Sequence, residues 1–199
     1  LDKTLIEKTT FKRGATEFSS QVARLKAANC DMVVMGTAIR ETIGVMAEAK
    51  KIGLNATFVA TSGAYSHLVP QLGGPVVDGF YAMMTTANHY SDDPKPEIRE
   101  WIARYKTKYS EDPTVFSAYG WLIADLFTQV ALKAGKDLTV ESFLNTIETT
   151  RFGKDMFDNQ GCNITKQNRL CDNSVRISQV KDGRWMITQD WVKGAAPTQ

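Results

Sequence analysis

His67 and His89 are the only histidines, and neither has a second histidine at the spacing that turns two imidazoles toward one zinc ion. Both read as surface residues, and no metal is expected. Ser62-Gly63 is the nearest approach to a hydrolase nucleophile, but it lacks the preceding glycine of a strand-to-helix elbow. Neither a G-x-G-x-x-G run nor a Walker loop occurs, so nucleotide binding has no support and no cofactor is expected. Asp92-Asp93 and Glu111-Asp112 sit in turn-like segments, where solvation and helix capping account for them. The chemistry that remains is recognition. Tyr65, Phe116 and Tyr119 are of the kind that walls a small-molecule cleft, whereas Trp121 reads as core. Phe116 and Tyr119 stay open between cleft and core. Arg40 can fork onto a carboxylate, or it can pair with Glu41 or face solvent.

Cys162 and Cys171 are close together in the polar stretch FDNQGCNITKQNRLCDNS. A disulfide across a hairpin is the preferred reading and implies an oxidising compartment; the alternative is two reduced thiols in a cytosolic protein. Cys30, between a helix and a strand, reads as a small buried apolar residue and a free thiol.

The elements that carry these residues follow from periodicity. Phe11–Tyr65 alternates between strand and helix. Thr16 is a candidate cap for a helix burying Phe18, Val22 and Leu25. Met32–Met35 reads as a strand buried throughout, and Arg40–Lys51 as a helix with Ile43, Met46 and Ala47 inward that stops near Gly53. Thr57–Ala60 is the next strand, Ser66–Leu72 a short helix and Gly79–Thr85 a further strand. Loops Thr37–Arg40 and Thr61–Tyr65 directly follow strands, at the edge of a parallel sheet where ligands bind. Asn88–Pro96 is a polar linker. A helix follows with Ile98, Trp101, Ile102, Tyr105 and Tyr109 on one face, then a break at Asp112-Pro113. The next helix, Val115–Ala134, is expected to bury Ile123, Leu126, Phe127 and Val130. Thr139 caps another. Asp182-Gly183 turns a closing hairpin.

The 199 residues carry a formal net charge of +2, which gives no electrostatic case for nucleic acid or an anionic membrane. No run is read as reaching transmembrane length. Leu1–Phe11 reads as a strand opening mid-fold, and a sheet of so few strands leaves apolar faces uncovered. A missing N-terminal portion is therefore expected; the alternative is a complete small α/β protein.

The run FSSQVARLKAANCDMVVMGTAIRETIGVMAEAKKIGLNATFVATSGAY resembles the second half of type 1 periplasmic solute-binding proteins, the Leu/Ile/Val-binding branch that serves ABC importers. DGFYAMMTT and PEIREWIARYKTKYSEDPTVFSAYGWLIADLFTQVALKAG match the same family in the same order. The resemblance implies an α/β fold of two Rossmann-like lobes with the ligand between them, no enzymatic activity, export to the periplasm with a signal peptide removed, and an importer permease as partner. It places 1–86 and 173–199 in the C-terminal lobe and 87–172 in an incomplete N-terminal lobe. The rest of that lobe would come from the missing N-terminal segment. It offers Thr37, Ala38, Ile39, Arg40, Ser62, Gly63, Ala64, Tyr65, Phe116 and Tyr119 as ligand contacts. Amino-acid binders of this branch place an acid in the second loop, where this chain has Ser62. A buried ammonium without a counter-charge is costly. The implied ligand is thus a small carboxylate without an amine, an aromatic acid packed on Tyr65, Tyr119 and Phe116. Two other readings compete: a sensing domain of a receptor or regulator with the same fold, and a small hydrolase built on Ser62. No nucleic acid and no direct membrane insertion are expected.

Overall fold

The computed structural model describes residues 4–194. It holds strands β1 (Met32–Met35), β2 (Thr57–Ala60), β3 (Tyr81–Met84), β4 (Ser174–Lys181) and β5 (Arg184–Lys193). Its helices are α1 (Ser19–Ala27), α2 (Ile39–Ile52), α3 (Leu68–Gly73), α4 (Pro96–Tyr109), α5 (Val115–Ala134) and α6 (Val140–Thr149). The chain divides into two compact units. One holds the described residues up to Met84 with Arg176–Asp190; the other holds Thr85–Val175 with the described residues from Trp191 onward.

In the first unit, β1, β2 and β3 are parallel, joined through α2 and then α3, and β4 runs antiparallel to β3 with Tyr81 opposite Gln179 and Met84 opposite Arg176. The sheet order is β1-β2-β3-β4-β5. β4 and β5 turn at Asp182 and Gly183, both at positive φ (51° and 73°), as a tight primed turn requires. Gly53 ends α2 in the left-handed conformation, at φ 68°. Phe18, Val22 and Leu25 are buried. A Cβ at Gly44 would fall 2.6 Å from the Phe18 ring, so this glycine lets the ring lie against α2. β5 is fastened by Trp185, whose indole N–H donates to the Ser66 carbonyl at 2.9 Å and whose ring lies against Tyr65 and Phe80.

Several expectations fail here for identifiable reasons. Residues 4–11 form no strand, and Leu5 and Ile6 lie exposed. Among the described residues β1 is the edge of the sheet and pairs with β2 alone, so no ladder takes up that segment, which is instead met by α1 side chains: Arg24 donates to Glu7 and to the Lys8 carbonyl, and Gln21 to the Thr10 carbonyl. β1 is buried on one face alone, leaving Met32 and Val34 open. Thr16 does not cap α1, which begins at Ser19 after Phe18 without a side-chain cap. In α2 the buried face is Thr42, Val45, Met46 and Ala49; Ile43 is half-buried and Ala47 exposed.

In the second unit, α4 and α5 meet through Ile98, Trp101, Ile102, Ala118 and Phe157, with Trp121 packed beside them. A second cluster joins Val130, Phe152 and Cys162 to Phe143 and Ile147 of α6. Both α5 and α6 start with capping boxes, Thr114 with Ser117 and Thr139 with Ser142. Cys162 and Cys171 are joined in a disulfide, and Cys30 is free and buried. His89 is no surface residue: its Nδ1 lies 2.8 Å from Asp93 Oδ2 and its ring rests on Phe157. Contrary to expectation, Ile123 and Phe127 are exposed. α5 also reaches the length and apolarity of a membrane-crossing helix, because Asp125 and Lys133 are its only charges.

Candidate functional site

Two loops meet at the carboxyl ends of β1 and β2. The peptide at Thr37 approaches the second loop closely, with the Thr37 carbonyl 3.5 Å from where a Cβ on Gly63 would lie. Thr37 itself is buried, its hydroxyl 2.7 Å from that of Thr42 on α2. Ala38 is the exposed N-cap of α2, in extended conformation, and supplies no side-chain cap. The first-turn amides of α2 therefore have no capping side chain, and the partial positive charge of the helix dipole there is shared with Glu41 of the same turn. Ile39 is half-buried and Arg40 is exposed. Glu41 does not answer Arg40: it is buried, and its carboxylate accepts from the Gly14 amide at 3.3 Å. Thus one open guanidinium stands beside an uncapped helix start.

The second loop is a short 3-10 turn, Ser62–Ala64. Ser62 and Gly63 are exposed, whereas Ala64 is fully buried. Tyr65 is buried too, with its ring centroid 4.7 Å from that of Trp185. The remaining two candidates belong to the other unit. Phe116, in the first turn of α5, is exposed; Tyr119, one turn on, is half-buried with its hydroxyl 2.9 Å from that of Thr85. Both therefore stay out of the α4–α5 core, which takes Ala118 from the same helix.

One feature escaped the sequence. A cavity of about 280 Å³ in the second unit is lined by Thr86, Tyr119, Leu122, Leu126, Asn159 and Trp191 among others. Asn159 donates from Nδ2 to the Thr86 hydroxyl at 3.2 Å, and its Oδ1 is buried without a partner. Its place in a turn-rich run signalled only solvation.

This arrangement can bind, and among the described residues of the two loops no nucleophile–base pair is formed. The family model described as "Periplasmic binding protein" matches residues 2–184. The chain belongs to the periplasmic binding protein family. The curated Leu/Ile/Val-binding protein homolog 1 of Brucella suis is 26% identical over 126 residues, covering 62% of this chain and 32% of that protein. A leucine-binding protein from Thermotoga maritima superposes with a TM-score of 0.76 at 21% identity, over 94% of this chain and 51% of that one. A solute-binding protein of an ABC transporter from R. palustris, solved in complex with benzoate, superposes with a TM-score of 0.70 at 16% identity, over 92% of this chain and 50% of that one. At these identities the solved structures establish the shared α/β fold. The periplasmic binding protein relatives are binding proteins rather than enzymes. The chain spans about a third of the curated relative and about half of the solved ones.

Proposed function

We propose that this chain is part of the extracytoplasmic solute-binding component of an ABC importer and that it holds a small carboxylate, an aromatic acid in preference to a branched-chain amino acid. One observation carries the reading. Arg40 stands exposed beside the uncapped start of α2, whose first-turn acid, Glu41, is buried and accepts from the Gly14 amide, while the residues Thr37–Arg40 and Ser62–Tyr65 include no acid. A carboxylate meets a fork of donors and a favourable helix dipole. An ammonium would meet no acid within the two loops and would face the Arg40 guanidinium. The neighbour bound to benzoate and the neighbour named for leucine mark the two ligand classes in contest. By the resemblance, Ser62 takes the position at which amino-acid binders of this branch carry an acid. Phe116 and Tyr119 are proposed as apolar contacts for the ring. A permease is the proposed partner, together with a further segment of the same protein. The disulfide fits an oxidising, exported setting.

The test is thermal stabilisation of the longest natural polypeptide carrying this sequence, with benzoate, cinnamate, leucine, isoleucine and valine. Benzoate or cinnamate raises Tm with concentration as mass action requires, without turnover. Arg40→Ala weakens that binding by about tenfold or more, the value of a charge-assisted pair. A Tm rise confined to the three amino acids overturns the ligand class.

A further inference from the structure

The loop after β2 is a single 3-10 turn, Ser62–Ala64, closed by the Tyr65 amide on the Ser62 carbonyl at 3.0 Å. Hydrogen bonds of this kind are poorly aligned, and one turn holds a loop weakly. The firmer hold comes at its exit. Ser66 is 2% exposed; its hydroxyl accepts from the Leu68 amide at 3.2 Å and its carbonyl from the Val69 amide at 3.1 Å, which ties it to the start of α3. The same carbonyl accepts from the Trp185 indole N–H at 2.9 Å, across a separation of 119 residues. A buried indole N–H needs an acceptor, and the one it meets belongs to this loop's exit.

The ring makes a second hold. Trp185 is 3% exposed, and its centroid lies 4.7 Å from that of Tyr65 and 5.8 Å from that of Phe80. Tyr65 is thereby buried against the hairpin, while Ser62 and Gly63 stay exposed. Trp185 stands on β5 just past the Asp182-Gly183 turn. The two strands of that hairpin run on beyond the first unit: Ser174–Val175 of β4 and Trp191–Lys193 of β5 belong to the second. The residue that holds the loop is carried by strands in which both units have a share.

We infer that Trp185 is a positioning residue of the solute site: through the Ser66 carbonyl and the Tyr65 ring it sets where Ser62 and Gly63 stand, and it couples that loop to the β4–β5 hairpin. The inference rests on the reading of the two strand-end loops as the ligand site, and it adds a distant strand to what governs their affinity.

The experiment uses the longest natural polypeptide carrying this sequence, with benzoate as the probe, or leucine where benzoate does not bind. Trp185→Phe keeps a ring beside Tyr65 and Phe80 and removes the N–H. Leu25→Ala, which truncates a buried side chain of α1 in the same unit, is the control for lost stability. Both lower Tm. Trp185→Phe weakens the probe by about fivefold or more in calorimetry, because a loop less often in place binds in proportion to the fraction in place. Leu25→Ala leaves affinity within about twofold. Without ligand, amide exchange at residues 62–66, measured against β1, quickens by about fivefold in Trp185→Phe and not in Leu25→Ala. Coupling is reciprocal, so saturating probe slows exchange at residues 186–190 in the unaltered protein and not in Trp185→Phe. Where Trp185→Phe does not fold, the unaltered protein decides: protection of 186–190 by the probe supports the inference and its absence overturns it. Equal loss of affinity in the two variants overturns it, as does unchanged affinity in Trp185→Phe. When no solute of the panel binds, the ligand reading fails by itself. Quickened exchange at 62–66 confined to Trp185→Phe then leaves the hold on the loop standing, and unchanged exchange removes that too.

Discussion

The two units close their cores by opposite means. The first threads successive strands and helices through one sheet and then fastens it with a distant segment: Trp185, from the closing hairpin, locks onto Ser66, Tyr65 and Phe80. The second rests on contacts among α4, α5, α6 and the loop segments carrying Phe152 and Phe157, pinned by a disulfide, and leaves Phe116, Ile123 and Leu132 of its longest helix exposed. A sheet edge and exposed apolar residues on a helix are both surfaces in want of a neighbour. The first unit covers more of its apolar surface because remote strands return to it, whereas the second spends its apolar residues on two small clusters. Trp185 in one unit and Phe157 in the other are the residues on which each solution turns.

The sharpest way to break that comparison is to remove each anchor in turn. Trp185→Ala and Phe157→Ala should each cost about 3–5 kcal/mol, the usual loss for a buried aromatic ring. Amide exchange should then accelerate in β2, β3 and the Ser62–Tyr65 loop for Trp185→Ala, and in α4 and the start of α5 for Phe157→Ala. Exchange that accelerates evenly through both units in either variant means that the chain unfolds as one body and the comparison fails.

A smaller effect separates the units by covalent means. Replacing Cys162 and Cys171 by serine opens a short loop and should cost about 2–3 kcal/mol, all of it in the second unit. Denaturant melts followed by exchange at Phe152 and Val130, against β1 and β2 as internal controls, read the difference. The smallest effect is local. Thr114→Ala removes the cap that accepts from the Phe116 and Ser117 amides and should cost about 1 kcal/mol, fraying the first turn of α5. Because Phe116 and Tyr119 sit in or just beyond that turn, the variant should also weaken benzoate binding modestly, whereas a loss as large as that from Arg40→Ala would move the weight of recognition from the first unit to α5.

Much of the fold was legible because its signals are local. Thr57–Ala60 reads as a strand from four residues alone, Gly53 marks a helix end, and Asp182-Gly183 admits hardly any other turn. The loops Thr37–Arg40 and Thr61–Tyr65 are placed by the strands before them. The chemistry of those loops was legible only in part. Arg40 read first as a helix-start side chain that pairs with Glu41 or faces solvent, and only the fold shows that it is exposed and that Glu41 accepts from the Gly14 amide. Tyr65 has the composition of a cleft wall, yet its ring lies on a tryptophan more than a hundred residues later. No local pattern announces such a contact.

What the sequence by itself determined is the order of elements, their punctuation and the family. These depend on spacing, on residues that few backbone conformations accept, and on a succession of loose motifs along the chain. What only the tertiary structure decided is which side of each element is covered. A strand buried on one face and a strand buried on both look alike when every residue is apolar, as in Met32–Met35. A helix apolar almost all round, such as α5, has no periodicity from which to read its inner face. Burial there is set by what lies next to the element, and neighbours are distant in the chain.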